Sequence, residues 1–165
     1  MKASEIQSWP DSFSPSEWPD GVLEWTTADL LLFGLFPLRK RLGESMSPSS
    51  LFGAHVRHDG SNSQHSTKNK TRYSRAGDFY LKTRASMIKA MYIAESLPEI
   101  GGIGIYFDTN NPLIHIDEMD GRNSRLVWLC PARKDGEERE YIYRENDPVY
   151  FYCRLADELA CSGSL

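Results

Sequence analysis

The stretch that decides the fold is GGIGIYFDTNNPLIHIDE, residues 101–118. Branched and aromatic residues at 103–107 and 113–118 favour strands, and the glycines ahead of them supply the backbone angles of a turn that enters the first strand. Between them, DTNNP at 108–112 is strong turn chemistry. We therefore predict a β-hairpin with a loop of medium length.

The second strand of this hairpin carries chemistry on one face. Successive side chains of a strand point to opposite faces, so Ile114 and Ile116 are expected in the core. His115 and Asp117 then lie side by side on the polar face. A lone histidine in a strand is weak evidence for a metal site, so the case for His115 depends on partners elsewhere in the chain.

Further elements are predicted on both sides of the hairpin. We predict helices at about 27–42, 84–97 and 154–160, and further strands at 54–57, 76–81, 125–129, 141–143 and 149–152. Pro37 should distort or split the first helix. This order of elements indicates an α+β fold with a small, mostly antiparallel sheet packed with helices.

Length and composition limit the class of protein. The 165 residues are predicted to form one domain, with an N-terminal arm at 1–21, a core at 22–130 and a C-terminal extension at 131–165. Trp9 and Trp18 are expected to pack onto the domain; the alternative is an exposed surface that stacks on a ligand. The net charge of −4 gives no reason to expect nucleic acid or an anionic membrane as partner.

The chain also lacks signals for export, insertion or disulfide formation. Its N-terminus has no apolar signal-peptide core, and the most apolar stretch, 30–38, is too short to span a bilayer. We therefore expect a cytoplasmic location in the producing cell. The three cysteines form no CxxC pair and are expected to be structural or inert thiols, not a disulfide framework or a metal site. The sequence carries no signal for an oligomeric state.

Two more candidate ligands lie upstream of the hairpin. The segment NSQH ends at His65, and RAGDF places Asp78 at the head of an apolar segment. With His115 they make a set of two imidazoles and one carboxylate, which leaves a fourth zinc position open for water, as in catalytic zinc sites. The basic stretch 63–75 is predicted to be a solvated loop, with an anion site as the alternative.

Four motifs, taken in order, resemble a known family. They are Ser63-Gln64-His65, Ala76-Gly77-Asp78, Gly102-Ile103-Gly104-Ile105-Tyr106 and Ile114-His115-Ile116-Asp117. They resemble the zinc D,D-/L,D-peptidases of peptidase group M15, which includes D-alanyl-D-alanine carboxypeptidases and phage cell-wall endolysins and shares its fold with the hedgehog signalling domain. Residues 17–19, 38–43 and 120–128 are similar to one small, phage-type branch, so the resemblance spans roughly 13–129.

The resemblance implies a hedgehog/D,D-peptidase-like fold and a zinc centre. His65, Asp78 and His115 would hold Zn2+, which lowers the pKa of a bound water and polarises a peptide carbonyl. Arg57 resembles the arginine that relatives use to stabilise an oxyanion or grip a carboxylate, with a surface salt bridge as the alternative. Ser63 and Tyr106 stand within the motifs and are expected to contact substrate.

Hydrolysis also needs a general base that takes the proton of the water and passes it to the leaving amine. Asp117 is the first candidate, and its alternative role is to hold an imidazole in the right tautomer. Asp108 and Glu118 are weaker candidates, since Glu118 should face away from His115 in a regular strand. Pro112 occupies the position where many relatives carry the catalytic carboxylate.

Two other features depart from the family pattern or compete with it. Positions 66–77, twelve residues, separate His65 from Asp78, a longer separation than in the family. If 55–58 were helical, His55 and His58 would share a face and could form a different metal set with Asp59. The following residues, Gly-Ser-Asn, favour a loop instead.

The sequence thus predicts a zinc peptidase that acts on the stem peptides or cross-links of bacterial peptidoglycan, as a stand-alone catalytic domain. A phage lysis enzyme or a virion-associated enzyme, which reaches the wall after release or delivery, would suit these features. The alternative is a catalytically silent member of the same fold that uses its cleft for binding or assembly.

Overall fold

The computed structural model describes residues 1–11, 13–59, 61–68, 72–119, 121–134 and 136–161. The predicted arm, core and extension each include positions that lie outside the described residues, namely 12, 60, 69–71, 120, 135 and 162–165. Within the described residues the strands are β1 (Met46–Pro48), β2 (Ala76–Leu81), β3 (Ile100–Tyr106), β4 (Leu113–Glu118), β5 (Leu126–Cys130) and β6 (Ile142–Tyr143). The α-helices there are α1 (Phe36–Leu42), α2 (Arg84–Glu95) and α3 (Pro148–Ala160).

The described strands form one sheet in the order β1-β2-β4-β3-β5-β6. Each neighbouring pair is antiparallel except β3 and β5, which run parallel. The α+β class, the mostly antiparallel sheet and the β3–β4 hairpin are therefore confirmed. The parallel pairing of β5 with the free edge of β3 has no local signal in the sequence.

The first predicted helix is divided, as expected from Pro37. Residues Leu30–Leu35 form a π-helical segment, and α1 follows with Pro37 in its first turn. Proline lacks the backbone N–H that an α-helix interior requires, and a wider turn ahead of it accommodates that loss. The helix ends at Gly43, whose φ of 67° suits glycine at a helix C-terminus.

Two predicted strands are absent from the described chain. Ala54 instead ends a 3₁₀ turn at Phe52–Ala54, and in residues 55–57 that follow it Arg57 makes only an isolated bridge to Ser66. Residues 149–152 are helical, because Asp147 accepts the Tyr150 N–H at 2.9 Å and Pro148 begins α3. The aromatic run that favours a strand therefore lies in the first turns of a helix.

The core lies on one face of the sheet and the arm adds to it. Ile114 and Ile116 are fully buried, in one core cluster with side chains of α1 and α2, as the alternation in β4 predicts. From the arm, Trp18 packs against Phe79 at 5.7 Å between ring centroids and Trp9 against Phe36 at 5.2 Å. Both tryptophans thus pack onto the domain. None of the described helices combines the length and the hydropathy that crossing a membrane requires.

Candidate metal centre

Two of the predicted ligands face each other across adjacent strands. Asp78 of β2 is paired with His115 of β4 in the register of the sheet. Residues that are directly opposite in antiparallel strands project from the same face. Accordingly, Nδ1 of His115 lies 2.8 Å from Oδ1 of Asp78. The strand prediction for 76–81 and the face assignment of His115 are both confirmed.

The third ligand, His65, belongs to a loop that is fastened by backbone hydrogen bonds. The Arg57 N–H donates to the His65 carbonyl at 2.8 Å, and the Arg75 N–H donates to the Gln64 carbonyl at 2.8 Å. The second bond closes the base of the long loop between His65 and Asp78. Nε2 of His65 consequently lies 3.2 Å from Nδ1 of His115 and 3.7 Å from Oδ1 of Asp78.

The three side chains fit a metal ion. Their ligand atoms all lie within 4.8 Å of one another. Bonds of about 2.0–2.1 Å in a tetrahedral zinc site place neighbouring ligand atoms about 3.3 Å apart, and the separations of 2.8, 3.2 and 3.7 Å lie around that value. Two imidazole nitrogens and one carboxylate oxygen are also a donor set that zinc accepts.

The competing set of His55, His58 and Asp59 does not form. Across the described chain, His65, Asp78 and His115 are the one group of His, Cys, Asp or Glu that converges on a single point. His55 is buried, with Nε2 2.9 Å from the Ser49 carbonyl. Nδ1 of His58 contacts the Thr67 hydroxyl at 2.8 Å. The prediction of a loop, and not a helix, at this point is confirmed.

In the absence of metal, the protein gives the two histidines of the site different charge states, one neutral and one positive. Burial lowers the pKa of His115, but hydrogen bonds to Asp117 and Asp78 outweigh it and raise the pKa to about 9. Burial lowers the pKa of His65 to about 3, and the positive charge of His115 acts in the same direction. At neutral pH, His65 is therefore neutral and His115 carries the proton that a metal ion would replace on Nδ1.

Asp117 lies behind His115, on the side away from the other two ligands. Its Oδ2 is 3.4 Å from Nε2 of His115, and its Oδ1 accepts a hydrogen bond from the Arg122 guanidinium. Since Nδ1 is the ring nitrogen that faces Asp78 and His65, this contact suits the orienting role predicted for Asp117 better than the general-base role.

The weaker base candidates point elsewhere. The Glu118 carboxylate accepts a hydrogen bond from the Thr27 hydroxyl and lies 3.8 Å from the Arg75 guanidinium, so Glu118 does face away. The Asp108 side chain is fully buried in an ion pair with Arg139 at 2.6 Å. In the described part of the chain, neither carboxylate lines the cavity at the ligand triangle.

One cavity of about 410 Å³ contains the whole predicted site. The predicted ligands, the first base candidate and the predicted substrate and oxyanion contacts all line it: Arg57, Ser63, His65, Asp78, Tyr106, His115 and Asp117. Ser63 Oγ accepts the His65 N–H at 3.3 Å and so supports the ligand loop. The Arg57 guanidinium donates through Nε to the Gly53 carbonyl at 3.2 Å.

The cavity has an aromatic and cationic wall that the sequence interpretation missed. It consists of Arg122, Trp128, Arg139, Tyr141 and Tyr143. The Trp128 ring lies 5.1 Å from the His115 ring and its Nε1 donates to the Tyr106 hydroxyl at 3.3 Å. Gly104 allows this, because a Cβ there would come within 2.6 Å of the indole. The sequence signal for this close contact was the pair Gly102 and Gly104, which are two residues apart at the start of a predicted strand.

Comparisons with known proteins add no relative to this picture. No protein-family model, no curated protein and no solved structure matches the chain. The fold and the site together define an α+β protein whose sheet and one adjoining loop bring two histidines and an aspartate together at a cavity, where they could hold a metal ion.

Proposed function

We propose that the protein is a zinc-dependent peptidase that hydrolyses peptide bonds in the stems or cross-links of bacterial peptidoglycan, with D,D- or L,D-specificity. The observation that carries the proposal is the convergence of His65, Asp78 and His115. These are the three residues that the resemblance to the D,D-/L,D-peptidases implies as ligands. The hedgehog/D,D-peptidase-like architecture is part of the same proposal, and the α+β sheet is compatible with it.

Each part of the site has a task in this proposal. His65, Asp78 and His115 would hold zinc, which when bound lowers the pKa of a water molecule and polarises the substrate carbonyl. Arg57, on the cavity wall, is suited to grip a substrate carboxylate or stabilise an oxyanion. The aromatic rings of Tyr106 and Trp128 offer apolar surface to the substrate.

Proton transfer needs a carboxylate near the reacting atoms, and the cavity offers two in the described chain, Asp78 and Asp117. Asp117 is engaged by Arg122 and by the far side of His115. Because Asp78 is assigned to the metal, Asp117 stays the candidate base of a peptidase, and its present contacts hold it away from the ligand triangle.

The same contacts favour a second candidate, a metal-dependent binding module without turnover. Pro112 carries no carboxylate, and Asp117 is held away from the ligand triangle. A protein that keeps its metal site without a free general base would recognise wall peptides without cleaving them.

The decisive experiment combines metal analysis with digestion of purified peptidoglycan. We expect about one zinc ion per chain, none in His65→Ala or His115→Ala, and an unchanged zinc content in His58→Ala, which alters a histidine outside the triangle. Mass spectrometry of released peptides should show cleavage by the wild type and not by the two ligand variants. Full zinc content in both ligand variants would refute the site. Tight zinc with no cleavage of any wall type would favour the binding module.

A further inference from the structure

We propose that Arg122 is a positioning residue that clamps Asp117 against His115 and thereby presents Nδ1 of that imidazole to the metal. The inference rests on the proposed metal site, and it assigns a function to an arginine that carries none of the ligand atoms. It depends on three observations: the contacts of Arg122, the two-sided engagement of Asp117, and the space left by two glycines of β3.

Arg122 is fixed by the chain that immediately precedes it. Its guanidinium donates through Nη2 to Oδ1 of Asp117 and to the carbonyl of Glu118, and through Nε to the carbonyl of Met119 at 3.2 Å. The Arg122 N–H also donates to the Met119 carbonyl, at 2.9 Å. Arg122 is thus held by the end of β4 itself, so its position follows that of His115.

Asp117 uses one oxygen for each neighbour. Oδ1 accepts from Arg122, and Oδ2 lies 3.4 Å from Nε2 of His115. The side chain of Asp117 is only 5% exposed, so little water competes for either oxygen. In a histidine ligand, the hydrogen bond made by one ring nitrogen decides which nitrogen is free for the metal and how the ring is turned. A carboxylate fixed at Nε2 leaves Nδ1 for the triangle.

Glycines in β3 make room for this arrangement. A Cβ on Gly102 would overlap the carboxylate of Asp117, and a Cβ on Gly101 would overlap the Arg122 guanidinium and the backbone at Glu118 and Met119. Any side chain at these positions would force the clamp to move. The Gly-Gly pair therefore allows Asp117 and Arg122 to lie across the neighbouring strand.

The test compares Arg122→Gln with Arg122→Lys and with a matched arginine variant. Arg125 lies three residues further on, and its guanidinium donates to the carbonyls of Ile100 at 2.8 Å and Leu97 at 2.7 Å, away from the site. Arg125→Gln should lower the thermal unfolding temperature and leave zinc affinity unchanged. Arg122→Gln should weaken zinc binding about 10–100-fold, and Arg122→Lys, which keeps the charge, should recover part of the loss.

Two spectroscopic measurements separate positioning from general loss of structure. In Arg122→Gln the visible bands of the cobalt-substituted protein should shift, whereas in Arg125→Gln they should match the wild type. Imidazole ¹⁵N spectra of the metal-free protein should show a slowly exchanging Nε2 proton on His115 that is lost in Arg122→Gln. Wild-type affinity, bands and Nε2 signal in folded Arg122→Gln would overturn the inference. If the wild type bound no zinc, the metal site would fail, while the ¹⁵N comparison would still decide the role of Arg122.

Discussion

Asp78 and His115 lie on adjacent strands, whereas His65 lies on a loop, and the two kinds of support position their ligands by different means. The strand pair is set by the register of β2 and β4, in which Asp78 and His115 are direct partners. The loop ligand is set by a few backbone hydrogen bonds, at Arg57 and at Gln64. A shift of one residue in a strand would turn its ligand to the other face, while a loop can vary in length and still return to the same point.

This difference explains why the long separation between His65 and Asp78 is compatible with the site. Loop closure becomes only slowly more costly with length, by about 0.6 kcal/mol for each doubling. The Gln64–Arg75 hydrogen bond fixes the two ends of the insertion, so the residues between them need not lie between the ligands. The same insertion within β2 or β4 would have destroyed the pairing of Asp78 with His115.

The largest expected difference between the strand ligand and the loop ligand concerns the stability of the metal-free protein. His115→Ala removes the cation that lies between Asp78 and Asp117 and leaves two carboxylates facing each other, so we expect a loss of about 3–5 kcal/mol in the free energy of unfolding. His65 is neutral at pH 7, and His65→Ala should cost about 1–2 kcal/mol. Urea unfolding in a chelator would measure both. Equal losses would contradict the charge difference between strand and loop ligands.

The pH dependence of zinc binding should follow the strand-borne histidine. Because the pKa of His115 is raised to about 9 and that of His65 is lowered to about 3, zinc displaces one proton, from His115, at neutral pH. Apparent affinity should rise about tenfold per pH unit up to about pH 9 and then level off. Calorimetry in buffers of different ionisation enthalpy would count the proton, and no proton release at pH 7 would contradict this assignment.

The stability of the metal-free protein should depend on the same histidine, His115, but should fall as the pH rises, whereas zinc affinity rises. A raised folded-state pKa means that the contribution of His115 is fully present below its unfolded value of 6.5 and is lost as the pH rises through about 9. Metal-free protein should therefore become less stable between these values, while zinc-bound protein, in which His115 has no proton on Nδ1, should not show this loss.

The sequence was most informative where short-range patterns determine the structure. Alternation in β4 correctly placed His115 and Asp117 on one face and the isoleucines in the core. It failed at 149–152, where branched and aromatic residues favour a strand but Asp147 and Pro148 begin a helix whose buried side is Phe151 and Leu155. Local helix-start signals prevailed there over strand propensity.

The wall of the cavity could not be predicted for a different reason. Trp128 reaches His115 only because β5 pairs in parallel with β3, so that Trp128 and His115 flank Gly104 on its two sides. No tight turn connects β3 directly to β5, so no local sequence pattern specifies their pairing. Tyr143 then packs against Trp128 from β6, at 6.0 Å between ring centroids.

The smallest effect we predict lies in the support of the loop ligand. The Ser74 hydroxyl is buried where the long loop returns to β2: it donates to the His55 carbonyl and accepts the Ala76 N–H at 3.4 Å. Ser74→Ala leaves that carbonyl without this donor, so we expect a loss of about 1–2 kcal/mol in unfolding free energy.

Zinc affinity should fall only a few-fold in Ser74→Ala, because the Gln64–Arg75 bond still closes the loop. Ser47→Ala, an exposed serine on β1, is the matched control and should change neither quantity. Parallel titration of zinc into the two variants would measure the effect. If Ser74→Ala lost zinc as completely as His115→Ala, the loop would be as constrained as the strands, and its tolerance of insertion would need another cause.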